Sequence, residues 1–363
     1  MTIDFAKLPK VSLHDHLDGG LRPQTIIELS AEIGHELPAD NAADLGTWFQ
    51  AAADSGSLVR YLETFEHTIA VMQTKDGLAR VAREFVLDLH ADGVIHGELR
   101  WAPEQHLRAG LTLDETVEAV QAGIDEAIEL VAELGGDISI GQLVTAMRHN
   151  DRGLEIAELA VRHRYNGVVG FDIAGPEKGF LPQRHKVAFD YLAAQMFPIT
   201  VHAGEADGIE SIKDALINGR ALRLGHGVRV MEDVILKRKD GELEFVELGP
   251  IADWVHDRQI PLELSPSSNL QTGAIEAWGT EMADHPFDVL YDLGFNVTVN
   301  TDNRLMSATT ITRELQLLTE AFGYDLDDLE QFQINAARAS FVAIEDREEL
   351  VARIESGFAE ARG

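Results

Sequence analysis

The hydrophobic pattern of the chain breaks into eight short apolar runs separated by longer amphipathic stretches. The runs pass through Leu13-His14-Asp15-His16, Gly93 to Trp101, Ile138 to Met147, Val168 to Ile173, Pro198 to His202, Arg223 to Gly227, Pro261 to Ser265 and Asn296 to Asn300. Short, mostly apolar runs of this length read as strands. Between them, helical stretches are predicted over about 23–90, 113–134, 154–163 and 209–218, around Trp254 and Val255, and from Thr310 and Leu326. Pro23 suits the start of a helix, and Asp114 and Glu115 suit a first turn. Strand alternating with helix implies parallel pairing, and eight repeats is the count at which such a sheet closes on itself. The predicted fold is therefore an α/β (β/α)8 barrel of the TIM type with extra helices, as one domain over 1–363. A doubly wound open sheet would want a glycine-rich phosphate loop after the first strand, and none follows.

Two stretches invite more than one reading. Leu58, Tyr61, Leu62, Phe65 and Ile69 have the spacing of one helix face, either as packed core or, in part, as a lid on a pocket near the first strand. Residues 231–250, charged in the middle as Lys237-Arg238-Lys239-Asp240-Gly241-Glu242, read as a surface excursion.

Composition narrows the function. With 363 residues, 45% of them hydrophobic, the chain can bury a large core. A net charge of −32 with no long basic run argues against a nucleic-acid backbone or an anionic membrane as partner. There is no cysteine, so any metal must be held by His, Asp and Glu. The opening residues, Met1-Thr2-Ile3-Asp4-Phe5, show no basic segment followed by an apolar run, and no window is apolar enough to span a bilayer. A cytoplasmic location is the expectation.

The polar residues that interrupt this pattern fall at the C-terminal ends of the predicted strands, which share one mouth in a barrel. His14 and His16 point to one side of an extended strand, Asp15 to the other, and Asp18 can look back from the Gly19-Gly20 loop. A lone His-x-His is as compatible with ordinary strand residues. Joined by His202 and Asp302 it becomes a plausible zinc ligand set with one position left for water, whose pKa such an ion lowers toward neutrality. Glu205, on the Gly204 turn, is placed to shuttle a proton without binding the metal. His226, between Gly225 and Gly227, either steers the attacking water or is a structural histidine at a tight turn. The remaining ten histidines, among them His35, His163 and His256, are assigned no role.

In this order, Leu-His-Asp-His-Leu-Asp-Gly, His-Ala-Gly-Glu, Leu-Gly-His-Gly, Leu-Ser-Pro-Ser-Ser-Asn and Asn-Thr-Asp resemble the adenosine deaminase family of the metal-dependent amidohydrolases, over about residues 8–345. The resemblance implies a (β/α)8 barrel and one zinc per chain held by His14, His16, His202 and Asp302. It implies Glu205 as proton donor to purine N1, His226 positioning the hydroxide, and Asp302 also hydrogen-bonding the water. It places the Gly175 N–H against purine N3 and Asp18 on the ribose 5′-hydroxyl. The activity implied is hydrolytic deamination of adenosine, with 2′-deoxyadenosine as a second substrate, in purine salvage. A carboxylate at the 5′ position repels a phosphate, so nucleoside is favoured over nucleotide.

One residue departs from the family pattern. Asn303 stands where the family commonly has a second aspartate, and an amide NH2 can donate to purine N7 without an added proton. Base preference could therefore move to adenine or an N6-modified adenosine. A binuclear amidohydrolase would want a bridging lysine at the end of strand four, which here reads Phe171-Asp172-Ile173-Ala174-Gly175. A non-catalytic purine-binding module would usually have lost Glu205 or a ligand, and all are present.

Overall fold

The computed structural model describes residues 3–363 apart from 57, 240 and 241. Its strands in chain order are β1 (Lys10–His16), β2 (Val94–Trp101), β3 (Ser139–Met147), β4 (Val168–Ala174), β5 (Thr200–Ala203), β6 (Arg223–His226), β7 (Val234–Lys239), β8 (Glu242–Leu248), β9 (Leu262–Leu264) and β10 (Val297–Val299). One parallel sheet runs β1-β2-β3-β4 and another β10-β9-β6-β5. Parallel bridges from Phe171 to Ile199 and from Asp15 to Asp302 join the two along both seams. The barrel thus closes with the eight strands read from the apolar runs.

The strands form because both faces are covered. Every residue of β1 is buried, including its charged ones. Inward side chains fill the barrel, and outward ones meet a ring of helices whose apolar stripes face the sheet. Helix Leu113–Glu133 starts at a capping box, Thr112 with Glu115, and buries Val117, Val120, Ile124 and Val131. It packs beside helix Lys75–Ala91, which buries Leu78, Val81, Phe85 and Val86. Each such side chain contributes roughly 1.5–3 kcal/mol relative to exposure.

Several elements differ from the sequence expectation. The long helical stretch is five helices, Pro23–Ile33, Ala42–Ala53, Leu58–Glu63, Phe65–Val71 and Lys75–Ala91. Gly34, at φ 69°, ends the first. The excursion is an antiparallel hairpin of β7 and β8, inserted before helix Pro250–Asp257; Asp240 and Gly241 of its charged run lie outside the described residues. The barrel does not finish with two helices: a third, Ile344–Arg362, packs on Leu326–Ala339. It buries only Leu350, Ile354 and Phe358, so its apolar periodicity is faint. Among the described residues, no helix is long and apolar enough to cross a membrane.

Candidate active site

The seam between β1 and β10 builds the site. Asp302 N–H donates to His14 O (2.9 Å), and His16 N–H donates to Asp302 O (2.7 Å). Closing the barrel therefore brings the His-x-His of the first strand against the aspartate that follows the last. Asp302 and His226 both adopt left-handed backbone, at φ 59° and 60°, a conformation non-glycine residues hold only when the surroundings enforce it.

Four side chains converge. Ligand atoms of His14, His202, His226 and Asp302 all lie within 4.8 Å of one another. His16 joins them, its Nε2 3.2 Å from His202 Nε2 and 3.3 Å from Asp302 Oδ1. His14 Nε2 lies 3.3 Å from the same oxygen. The outer ring nitrogens are engaged elsewhere: His14 Nδ1 donates to Glu263 Oε2 at 3.0 Å, and His202 Nδ1 faces Asp172 Oδ2 at 2.7 Å. With protons held on that side, the inner nitrogens present lone pairs. His14 Nε2 is buried with no hydrogen-bond partner. Lone pairs and a carboxylate turned toward one another, without protons between, fit a cation, and imidazole with carboxylate suits zinc.

Electrostatics agree with that reading. Burial pushes His16 and His226 well below the usual imidazole range, and His202 also down, so these rings are neutral. Burial alone would raise Asp302. Against that, the imidazoles of His14, His226 and His16 around it hold Asp302 well below the ordinary carboxylate range.

Glu205 behaves oppositely. Burial, then the charges of Asp302 and Glu177, push its carboxyl well above its ordinary value, which favours the protonated form. Its Oε2 lies 3.7 Å from His226 Nε2. The loop that carries it wraps a second carboxylate: Glu177 accepts the backbone N–H groups of Gly204, Glu205, Ala206 and Asp207 and the hydroxyl of Ser211.

These groups open on a cavity of about 910 Å³ whose lining includes His16, Asp18, Gly175, His202, Glu205, His226, Asp302 and Asn303. Asp18 is buried, and desolvation pushes it up to about 7. Gly175, at φ 101°, turns its peptide at the end of β4 in a conformation that favours glycine. Gly19 is needed for a different reason, since a Cβ there would lie 1.8 Å from Asn303 Oδ1. Leu58, Tyr61, Leu62, Phe65 and Ile69, divided between helices Leu58–Glu63 and Phe65–Val71, all line the same cavity, while Tyr61, Phe65 and Ile69 are also buried in the core, so the segment serves both alternatives. His14 supports from below, fully buried and outside the lining.

Several supporting residues escaped the sequence reading. Arg100 donates to Asp172 Oδ2 (2.9 Å) and to Glu263 Oε2 (2.7 Å), tying together the two carboxylates that orient His202 and His14. Ser268 Oγ donates to Asp302 Oδ2 at 2.6 Å, and Asn269 sits 2.9 Å from His226 Nδ1. The signal was present as charges inside apolar strands, Glu98-Leu99-Arg100-Trp101 and Leu262-Glu263-Leu264, which must be paired if buried. Which charge meets which was not in the pattern.

Comparison with known proteins follows the same line. A family model described as adenosine deaminase matches residues 9–357. An adenosine deaminase 1 of Streptomyces coelicolor is 54% identical over 358 residues, covering 98% of this chain and 88% of that protein. An adenosine deaminase of Mycolicibacterium vanbaalenii is 52% identical, covering 96% and 94%. Among solved structures, an adenine deaminase of Arthrobacter aurescens overlays with a TM-score of 0.82 at 23% identity, over 96% of this chain and 98% of that one. An arabidopsis N6-mAMP deaminase overlays at 0.80 with 24% identity, over 97% and 99%. At those identities the likeness carries the barrel alone.

Proposed function

The chain belongs to the adenosine deaminase family, and from that premise we propose how its own residues carry out the zinc-dependent deamination of adenosine to inosine and ammonia. The observation that carries the assignment of roles is the placing of two carboxyls in one cavity, Asp302 among the imidazoles of His14, His16, His202 and His226 and Glu205 apart from that cluster beside His226. Their surroundings push them in opposite directions, Glu205 up and Asp302 down, as an acid and a base require.

His14, His16, His202 and Asp302 would hold the zinc. The ion, when bound, supplies Lewis acidity that brings a water toward ionisation near neutral pH. Asp302 takes a proton from the attacking water, and His226 holds its oxygen in line with purine C6. The Glu205 carboxyl donates its proton to purine N1, which draws electron density from C6 as the oxygen adds and a tetrahedral centre forms. On collapse the amine takes the proton that Asp302 drew from the water and leaves as ammonia, while the remaining water proton passes from the new hydroxyl back to Glu205 as the carbonyl forms. The Gly175 N–H faces purine N3, the Asn303 amide donates to N7, and Asp18 takes the ribose 5′-hydroxyl. Packing of the Asn303 side chain over Gly19 supports its place at the base, because it fixes the amide beside the loop that carries Asp18.

This reading treats the chain as one hydrolase domain with a small nucleoside and water as its partners, at work in the cytoplasm, and its acidic charge leaves nucleic acid out. Formation of the 6-oxopurine, measured side by side on adenosine, 2′-deoxyadenosine, adenine, AMP and N6-methyladenosine, tests the roles given to Asp18 and Asn303; ammonia leaves from the first four and methylamine from the last. Adenosine and its deoxy form are expected to be fastest and AMP slowest. AMP turning over as fast as adenosine would remove Asp18 from the 5′ position, and a preference for the N6-modified substrate would reassign Asn303.

A further inference from the structure

His226 has two distinct ring nitrogens, and the one that carries the proton decides what the residue can do at the mouth. If Nε2 is bare it can bind a metal; if Nε2 bears hydrogen it can only donate. Distance leaves both open, because His226 belongs to the cluster whose ligand atoms lie within 4.8 Å of each other.

The answer can be traced from a donor that has no alternative. The backbone N–H of Phe287 points at His285 Nδ1, 3.0 Å away, so that nitrogen accepts. His285 is 2% exposed, and burial pushes its pKa down to about 3, which leaves the neutral ring with one proton, on Nε2. Nε2–H then donates to Asn269 Oδ1 at 3.2 Å. The oxygen of the amide is thereby fixed, and its NH2 faces His226 Nδ1 at 2.9 Å. An amide NH2 can only donate, so His226 Nδ1 must accept.

We infer that this relay, from the Phe287 N–H through His285 and Asn269, locks His226 as the Nε2–H tautomer and makes Asn269 and His285 positioning residues for the deamination. The inference rests on the reading of His226 as the group that steers the attacking water. Its consequence is that His226 has no lone pair to offer a metal and instead aims a hydrogen at the reacting oxygen. The ligand set is then His14, His16, His202 and Asp302, although His226 is as close to the cluster as they are. Asn269 is fully buried on helix Pro266–Gln271, and His285 lies in the connection to helix Phe287–Asp292. Two elements outside the barrel wall thus set the proton on a ring at its mouth.

The test is made on the full-length, metal-loaded enzyme with 15N-labelled histidine. Two-bond proton–nitrogen spectra report which ring nitrogen is protonated, with the His226 signals identified by their loss in His226→Gln. The expected result is a protonated Nε2 and a bare Nδ1 in the wild type. In Asn269→Asp the carboxylate can only accept, so Nδ1 gains a proton. There kcat for adenosine falls by about 10²-fold or more with KM roughly unchanged, the scale for losing one oriented donor at a reaction centre. His285→Gln, which keeps an N–H donor toward Asn269, retains the wild-type tautomer and most of kcat, whereas His285→Ala loses both in part. A wild-type His226 with its proton on Nδ1 overturns the inference, as does Asn269→Asp with wild-type kcat. An unchanged kcat in His226→Gln, with the stated tautomer observed, overturns the water-steering role and leaves the relay standing.

Discussion

Glu205 and Asp302 are both buried carboxyls in one cavity, yet their neighbours drive them in opposite directions. Asp302 sits among four imidazoles, which favour its ionised form, while Glu205 is buried facing Asp302 and Glu177, which favour its protonated one. Glu205→Gln preserves shape and hydrogen bonding but has no acidic proton. Its kcat is expected to fall by about 10²–10⁴-fold, the usual worth of a general acid, with binding of the product inosine retained in calorimetry. The pH dependence has a defined sign: the acid is needed protonated, so its contribution is present below its raised pKa and lost as pH rises through it, and the alkaline limb of the kcat profile should vanish in Glu205→Gln. Glu177 never reaches the substrate. It gathers four backbone N–H groups and a hydroxyl, and Glu177→Gln would turn an NH2 toward donors that need an acceptor. Loss of about 1–3 kcal/mol of stability is expected in denaturant titration, together with a lower kcat, because the loop carrying Glu205 loses its anchor.

At the scale of elements, the lid and the first strand can be tested separately. Leu62, half-buried on helix Leu58–Glu63, offers the cavity apolar surface and no chemistry. Leu62→Ala should raise KM for adenosine by roughly tenfold, from about 1–2 kcal/mol of apolar contact, and leave kcat near wild type in steady-state kinetics. Lys10 begins β1 at the far end of the barrel, where its ammonium donates to Leu8 O (2.8 Å) and Asp92 O (2.6 Å). Burial, opposed by Asp92 and Asp4, pushes its pKa from 10.5 down to about 8. Between those values the unfolded chain binds the proton that the folded chain has lost, so this residue makes the fold more stable as pH rises from about 8 toward 10.5. Melting temperatures compared across that window should show wild type gaining on Lys10→Met.

Across the whole molecule, the barrel interior is a charged lattice rather than an apolar plug. Arg100 lies between Asp172 and Glu263, and Arg223 between Glu263 and Glu98. Burial would raise Glu263, but Arg100 and Arg223 hold it well below its usual range. Removing one member leaves the others buried without compensation, so Arg100→Met should cost about 3–5 kcal/mol in denaturant midpoints. It should also weaken zinc retention under dialysis against a chelator, since the carboxylates behind His14 and His202 lose their common partner. An unchanged zinc content with lowered stability would confine Arg100 to a structural part.

The apolar runs were enough to count eight strands, because burial on both faces leaves a local trace that needs no knowledge of partners. The residues at the strand ends were legible for a related reason: a polar side chain breaking an apolar run is conspicuous, and His14, His16, His202, Glu205, His226 and Asp302 all stand at such breaks. The lid could be seen as an amphipathic face but not told from core, since the same spacing serves both. Helix Ile344–Arg362 was missed because it buries too few residues to mark a period. What only the tertiary structure decided is which distant groups meet: Arg100 with Glu263, Glu177 with the loop of Glu205, and His285 with Asn269 behind His226. Spacing along a chain records the geometry of one element at a time, whereas protonation states and tautomers are set by contacts between elements far apart in sequence.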